Sequence, residues 1–174
     1  MTAGSWWRTP VGGILPRGWK TFGAACWLLL VLLVLPMRIA PVRGASMEPT
    51  LSDGQVLAYH TLAPQLLGLD RGEIVVFRSP LDRSHHFVKR VVGLPGDELL
   101  FDDGHLFVND VELDLPPSSV EPGFRLVTRV PADCFFALGD HASVSMDSRR
   151  FGAVPMENLL GRVIGPFRHA GGVP

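Results

Sequence analysis

Hydrophobic residues follow two different patterns along this chain. Residues 22–37, FGAACWLLLVLLVLPM, form one continuous apolar run without a charged side chain. After residue 44 the apolar residues occur in short runs that Gly, Pro and Asp separate. A long uncharged run is typical of a membrane helix, and short interrupted runs are typical of strands and turns. The pattern therefore predicts one N-terminal helix followed by a β domain.

The second pattern predicts eight strands and almost no helix. The sequence DDG at residues 102–104 indicates a hairpin turn, and ND at 109–110 indicates the next turn. Residues 62–69 are too short and too interrupted by Pro to predict a helix, and the Pro-rich residues 115–123 predict a surface loop. The expected strands cover residues 56–60, 74–77, 87–92, 98–101, 105–108, 125–130, 134–138 and 161–164.

The apolar run is close to the length of a membrane span. Sixteen helical residues extend about 24 Å, and the hydrocarbon core is about 30 Å thick. Including the apolar residues up to 42 brings the segment within range, with the arginine among them reaching the interface. Basic residues before the run favour a cytoplasmic N-terminus. We therefore predict a cytoplasmic segment at residues 1–20, a transmembrane helix at 21–42 and a compact extracytoplasmic β domain at 43–174.

Two alternatives to a membrane anchor remain open. A cleaved secretory signal has the same basic start and apolar centre. Cleavage after Ala40 or Ala45 would place an arginine three residues before the cut, which is unfavourable, whereas cleavage after Gly44 is acceptable. A buried core helix is the other alternative, but the sequence contains no second apolar helix to pack against it.

Charge and cysteine content argue against several functions. Residues 1–43 contain five basic side chains and no acidic one, whereas residues 44–174 contain 11 basic and 17 acidic side chains. A mildly acidic domain without basic clusters argues against nucleic-acid binding. Cys26 lies in the apolar run, far from Cys134, and no CxxC or HExxH motif occurs. We therefore expect no disulfide, no metal site and no cofactor.

Two polar side chains are candidates for chemistry. Ser46 lies in RGASMEPTL, on a turn that Pro49 stiffens, and a serine becomes a nucleophile when a base removes its proton. Lys89 lies in a predicted strand, and if Phe87 and Val91 share its face, burial favours the neutral amine. Each has an ordinary alternative when taken alone: a common Gly-Ala-Ser turn, or a lysine at a sheet edge with its ammonium group in water.

A third stretch, ALGDHASVSMDSRRFGAV at residues 137–154, concentrates polar side chains. Asp147 and Arg149 are near enough in sequence to pair across a tight loop, and arginine suits a bidentate contact with a carboxylate. Ser145 could hydrogen-bond a neutral lysine and orient it. The ordinary alternative is a polar loop without a role.

Taken together, the three stretches resemble a known family. SMEPTL, GEIVVF, KRVVGLPGD and LGDHASVSMDSRRFGAV occur in the order found in type I signal peptidases, the bacterial-type leader peptidases of peptidase family S26. The resemblance covers about residues 22–165. It implies a membrane-anchored serine protease with a mainly β, signal-peptidase-like domain on one N-terminal transmembrane helix, and a Ser/Lys dyad.

The resemblance also assigns roles to individual residues. Ser46 would be the nucleophile, with its backbone N–H binding the oxyanion, and Lys89 would be the general base. Two departures from the family pattern stand out: His141 occurs where Asn is usual, and Gly44 occurs where some members carry a hydroxyl that binds the oxyanion. The resemblance implies supporting roles for Ser145, Asp147, Arg149, Arg90 and Asp140.

The implied reaction is removal of N-terminal signal peptides from secreted precursors after small-x-small sites of the Ala-x-Ala kind. It needs no metal and no cofactor, and the expected partners are secretory preproteins and the lipid bilayer. The expected location is the plasma membrane, as a single-pass protein, with the mitochondrial inner membrane as the alternative. Phe135, Phe136 and residues 62–69 are candidates for a surface that touches lipid.

Other functions remain open at this point. His85 or His86 could replace the lysine, as in the endoplasmic-reticulum signal peptidases, although KRVVG fits the bacterial pattern better. A self-cleaving repressor would normally carry a DNA-binding module, and a membrane segment stands in its place here. A conjugation-type maturation peptidase and an inactive β-domain membrane adaptor are the remaining alternatives.

Overall fold

The computed structural model describes residues 19–165, which belong to two units. The first unit ends at Leu35 and contains helix α1 (Trp19–Val34). The second unit begins at Pro36 and contains the β domain. The predicted cytoplasmic segment, residues 1–20, lies almost entirely outside the described residues.

Helix α1 is shorter than the apolar run predicted. It ends at Val34 because Pro36 lacks an amide hydrogen and disfavours helical geometry at the residue before it. The prediction of a helix through residue 42 is therefore wrong, and Met37–Pro41 instead forms the first strand, β1. Among residues 19–165, no helix combines the length and the apolar character that crossing a bilayer requires.

The second unit is mainly β, as predicted, and its strands form two antiparallel sheets. The strands after β1 are β2 (Val56–His60), β3 (Ile74–Arg78), β4 (His86–Gly93), β5 (Glu98–Asp102), β6 (His105–Val108), β7 (Val111–Glu112), β8 (Arg125–Arg129), β9 (Cys134–Leu138), β10 (Val154–Pro155) and β11 (Leu159–Ile164). One sheet has the order β1-β2-β11-β3-β4-β9-β10 and the other has the order β7-β6-β5-β8. Short helices α2 (Ala63–Leu67) and α3 (Ser148–Phe151) and two 3₁₀ turns, Ala142–Val144 and Met156–Asn158, connect them.

All eight predicted strands are present, and the two predicted turns join the strands as expected. Asp103 and Gly104 have φ of 46° and 92°, and Asn109 and Asp110 have φ of 49° and 67°. Positive φ at both central residues is the geometry that tight hairpins require, and Asn, Asp and Gly tolerate it best. Helix α2 was not predicted, because Pro64, which lies in its first turn, had argued against a helix.

The seven-stranded sheet buries apolar side chains on both faces. Ile74 and Val76 of β3 pack in one cluster with Leu57 and Val163, while the alternate residue Val75 packs in a second cluster on the opposite face. A third cluster joins the four-stranded sheet to β4 and β9.

Two predictions about the surface are corrected by this packing. Phe135 and Phe136 are 0% and 3% exposed, so they cannot touch lipid; alternate residues of β9 enter different clusters because the strand is covered on both faces. In the predicted surface loop, Ser119 and Val120 are also buried. Leu66, in the 62–69 segment, is 74% exposed and remains accessible.

Candidate active site

Ser46 lies on the segment that links β1 to β2. A 2.7 Å hydrogen bond from the Val42 amide to the Gln55 carbonyl closes the base of this segment. Met47 and Leu51, which are 1% and 0% exposed, anchor it in the apolar core. Ser46 lies between the closed base and the first anchor and is half-buried. Its backbone is therefore fixed while part of the residue stays accessible.

Lys89 lies in the middle of β4, opposite Val75 of β3, and is 2% exposed. Its amine donates a hydrogen bond to the Ser46 hydroxyl oxygen, with 2.5 Å between Nζ and Oγ. The Phe87 ring shares this face of the strand, and Nζ lies 5.7 Å from its centre. The amine thus has apolar surroundings and a hydroxyl partner, which is the environment that the sequence analysis predicted.

Burial is the main influence on the pKa of Lys89 and lowers it from 10.5 to about 8. Among the nearby charges, Asp147 raises this pKa, Arg149 lowers it and Asp140 raises it. A lysine with a pKa of about 8 is neutral in a substantial fraction of molecules at mildly alkaline pH. The neutral amine can accept the hydroxyl proton across the existing hydrogen bond, which is what a general base must do.

Asp147 and Arg149 form a buried pair beside the lysine. Arg149 donates from Nε to Oδ1 at 2.9 Å and from Nη2 to Oδ2 at 2.5 Å, so the contact is bidentate. Burial alone would raise the pKa of Asp147, but the hydrogen bonds and charge of Arg149, the Gly139 amide and the Ser145 hydroxyl outweigh it and lower this pKa. The aspartate therefore stays ionised next to Lys89.

Arg90 and Asp140 form a second buried pair, on the opposite side of β4. Their side chains are 3% and 0% exposed, and two hydrogen bonds of 2.8 and 2.7 Å join them. The same guanidinium donates to the Gly72 carbonyl and, at 3.3 Å, to the Thr50 hydroxyl. Thr50 belongs to the segment that carries Ser46, so this pair connects that segment to the sheet.

Gly139 was not singled out from the sequence, yet the site depends on its missing side chain. A Cβ atom there would collide with the Ser46 carbonyl oxygen and the Ser145 hydroxyl. Because Gly139 has no side chain, the backbone after it can approach Ser46. The His141 amide donates to the Ser46 carbonyl at 3.1 Å. The glycine within the LGD motif was the available signal. His141 thus acts through its backbone here.

Ser145 does not make the contact that was predicted for it. Its hydroxyl is buried and lowers the pKa of Asp147, and among residues 19–165 the side-chain bond of Lys89 goes to Ser46 rather than to Ser145. The expected hydrogen bond to Lys89 is therefore not formed in this conformation, because the lysine amine is directed to Ser46 instead.

The oxyanion site is only partly defined. Gly44 has φ of 85°, and its amide donates to the Asp53 carboxylate at 2.7 Å. Without a side chain and with its N–H engaged, Gly44 offers no second donor in this arrangement. The assignment of the Ser46 N–H as an oxyanion donor stays a prediction.

The two histidines that could have replaced the lysine are both exposed. His85 is 72% exposed, and its Nδ1 lies 2.7 Å from the Asp82 carboxylate in the turn between β3 and β4. Lys89, by contrast, is buried against Ser46. The geometry therefore favours the lysine as the partner of the serine.

A comparison with protein families agrees with this arrangement. The model of the family described as signal peptidase, peptidase S26, matches residues 17–167, a range that includes every residue of the site. This chain belongs to the S26 signal peptidase family. The predicted resemblance and the prediction of a serine endopeptidase are both confirmed at the level of the family.

Two relatives of similar sequence support the same family. The chain is 33% identical over 162 residues to signal peptidase I of Bacillus caldolyticus, covering 84% of this chain and 87% of that protein. It is 30% identical over 141 residues to signal peptidase IB of Staphylococcus aureus, covering 70% and 73%. A crystal structure of a signal peptidase I from Enterococcus faecalis V583 aligns with a TM-score of 0.48 and 28% identity, covering 54% of this chain and 95% of that one.

Proposed function

We propose that this S26 peptidase is a membrane-anchored enzyme that removes N-terminal signal peptides from secreted precursors through a Ser46/Lys89 dyad. The observation that carries the proposal is the 2.5 Å contact between the Ser46 hydroxyl and the amine of a lysine that is only 2% exposed. Such burial has no evident structural purpose, since an apolar side chain would fill the same space without desolvating an amine. The relatives named signal peptidase I point to the same reaction.

In the proposed reaction Lys89 first accepts a proton from Ser46 and then donates it to the leaving group. Ser46 Oγ attacks the scissile carbonyl carbon while neutral Lys89 takes the hydroxyl proton. The C–N bond then breaks, the lysine ammonium gives that proton to the leaving amine, and an acyl ester on Ser46 remains. A water attacks the ester, Lys89 takes its proton, and the proton returns to Ser46 Oγ as the C–O bond breaks.

The surrounding residues would support this cycle in different ways. Asp147 and Arg149 keep a nearly neutral pair next to Lys89, Arg90 and Asp140 brace the Ser46 segment, and the Ser46 N–H binds the oxyanion. Ser145 would contact Lys89 only after the amine leaves Ser46. No metal or cofactor takes part in the proposed reaction.

The proposed substrates are secretory preproteins that are cleaved after small-x-small sites. The apolar helix α1 precedes the β domain, and an anchor of this kind would confine enzyme and preprotein to one membrane surface. We propose the plasma membrane with an extracytoplasmic β domain. The relatives come from bacteria, so the mitochondrial alternative gains no support from them.

Cleavage of an Ala-x-Ala precursor by the full-length protein in detergent tests the proposal. We expect Ser46→Ala and Lys89→Ala each to lower kcat/KM at least about a thousandfold, and the double variant to be no worse, because the two side chains act as a unit. Ser84→Ala, which removes an exposed hydroxyl in the turn before β4, is the matched control. Folded wild-type protein that leaves the precursor intact would favour an adaptor instead.

A further inference from the structure

Two adjacent serines in the connection between β7 and β8 contact the candidate active site. The Ser118 hydroxyl donates to the Asp140 carbonyl at 2.6 Å. The Ala142 amide donates to the Ser118 carbonyl, and Arg149 donates from Nη1 to the Ser119 carbonyl, each at 2.7 Å. These residues lie in the Pro-rich stretch, residues 115–123, that was predicted to be a surface loop.

The three hydrogen bonds hold two parts of the site at once. Asp140 and Ala142 flank His141, whose amide donates to the Ser46 carbonyl. Arg149 makes the bidentate contact with Asp147. One turn therefore fixes both the segment that contacts the serine and the arginine that neutralises the aspartate beside the lysine.

We propose that Ser118 and Ser119 form a latch that positions the Ser46–Lys89 pair by holding residues 140–142 and Arg149 in place. The effect on catalysis rests on the proposed function, whereas the effect on the environment of Lys89 does not. Both serines act through other residues, so they are positioning residues. The latch also connects the four-stranded sheet to the candidate active site, because the β7–β8 connection carries these two residues.

The charges around Lys89 support this proposal. The charges that influence Lys89 are those of Asp147, Arg149 and Asp140, the last paired with Arg90. Weakening the latch would loosen Arg149, leave the charge of Asp147 less neutralised and admit water to the amine. Each change raises the pKa of Lys89, because Arg149 and burial are the two influences that lower it.

The test compares the full-length wild type with Ser118→Ala, which removes the hydroxyl, and Ser118→Thr, which retains one. We expect Ser118→Ala to lower kcat/KM about three- to tenfold near pH 7.5, the usual effect of losing one hydrogen bond. The pH at which kcat/KM begins to rise should be higher in Ser118→Ala than in wild type. Above that pH the difference in kcat/KM between the two proteins should shrink. Ser118→Thr should restore most of the activity. Ser84→Ala, which loses the hydrogen bonds of one exposed hydroxyl, should match wild type.

A second measurement does not depend on cleavage. The chain contains two lysines, Lys20 and Lys89, so ¹⁵N-lysine labelling with Lys89→Met as the reference follows the titration of Lys89 directly. We expect a higher midpoint in Ser118→Ala than in wild type.

The outcomes separate this proposal from the proposed function. An unchanged Lys89 midpoint in Ser118→Ala would overturn the latch, as would an activity loss that is equal at every pH, since simple destabilisation acts in that way. A wild type that does not cleave would refute the proposed function, and the titration would still decide the latch.

Discussion

The two sheets of the β domain treat charged side chains in opposite ways. The seven-stranded sheet and its loops bury Lys89, Arg90, Asp140 and Asp147, each at most 3% exposed. The four-stranded sheet leaves its charges in solvent, as in the pair of Arg125 with Asp102, which are 77% and 49% exposed. Exposed pairs contribute about 0–1 kcal/mol, whereas breaking a buried pair costs about 3–5 kcal/mol. The comparison indicates that the charges around Ser46 and Lys89 are distinguished by their burial, whereas the pair in the second sheet lies in solvent.

Asp140→Ala tests the buried side of this comparison and should have the largest effect on stability. It removes the carboxylate that accepts two hydrogen bonds from Arg90 and leaves the positive charge of a buried guanidinium without that negative partner. We expect the free energy of unfolding to fall by about 3–5 kcal/mol, measured by urea denaturation of the full-length protein in detergent. A loss below about 1 kcal/mol would contradict the view that burial makes breaking the Arg90–Asp140 pair costly.

The pH dependence of stability should show the second largest effect. Between about pH 8 and 10.5 the unfolded chain keeps a proton on Lys89 that the folded protein has lost, so the free energy of unfolding rises with pH. Below pH 8 both states are protonated, and the unfavourable burial of the charge is fully present. Relative to Lys89→Met, wild type should gain about 3 kcal/mol across this window.

Denaturation of wild type and Lys89→Met at a series of pH values measures that difference. Two parallel curves would mean that the lysine titrates normally in the folded state. The cleavage activity of wild type should rise through the same folded-state pKa of about 8 as the pH increases.

Asp102→Ala should have the smallest effect and is the matched control for Asp140→Ala. It breaks a 2.9 Å ion pair between exposed side chains of β5 and β8. We expect a change below about 1 kcal/mol, which should shrink further when salt is added, because exposed charges are screened. A loss as large as that of Asp140→Ala would remove the distinction between the two sheets.

Much of the fold could be predicted because local signals and tertiary structure agree. Strands 56–60 and 105–108 have the bounds that their apolar pattern predicts, and tight turns occur where Asp, Asn and Gly allow positive φ. β1 could not be separated from the preceding helix, because Met37–Pro41 continues an apolar run and its partners in β2 lie 15 to 23 residues further on. A strand that is defined by its pairing with a distant strand shows little of that in its own sequence.

The candidate site also contains residues that could be predicted from the sequence and residues that could not. Ser46 and Lys89 could be singled out because a hydroxyl and an amine lie in recognisable motifs, and Asp147 and Arg149 are two residues apart. The contacts of Ser118 and Ser119 could not, since they join a turn to residues that are 22 to 30 positions away and use mostly backbone atoms. Backbone contacts of this kind place no constraint on residue type that a single sequence reveals.

The position of β11 has a consequence for the order of events during synthesis. This late strand, Leu159–Ile164, pairs with β2 on one side and with β3 on the other. Ser46 precedes β2 and Lys89 follows β3, so β11 lies between the two hairpins that carry them and pairs with a strand of each. A growing chain therefore completes the sheet that holds Ser46 and Lys89 only after this late strand has been synthesised.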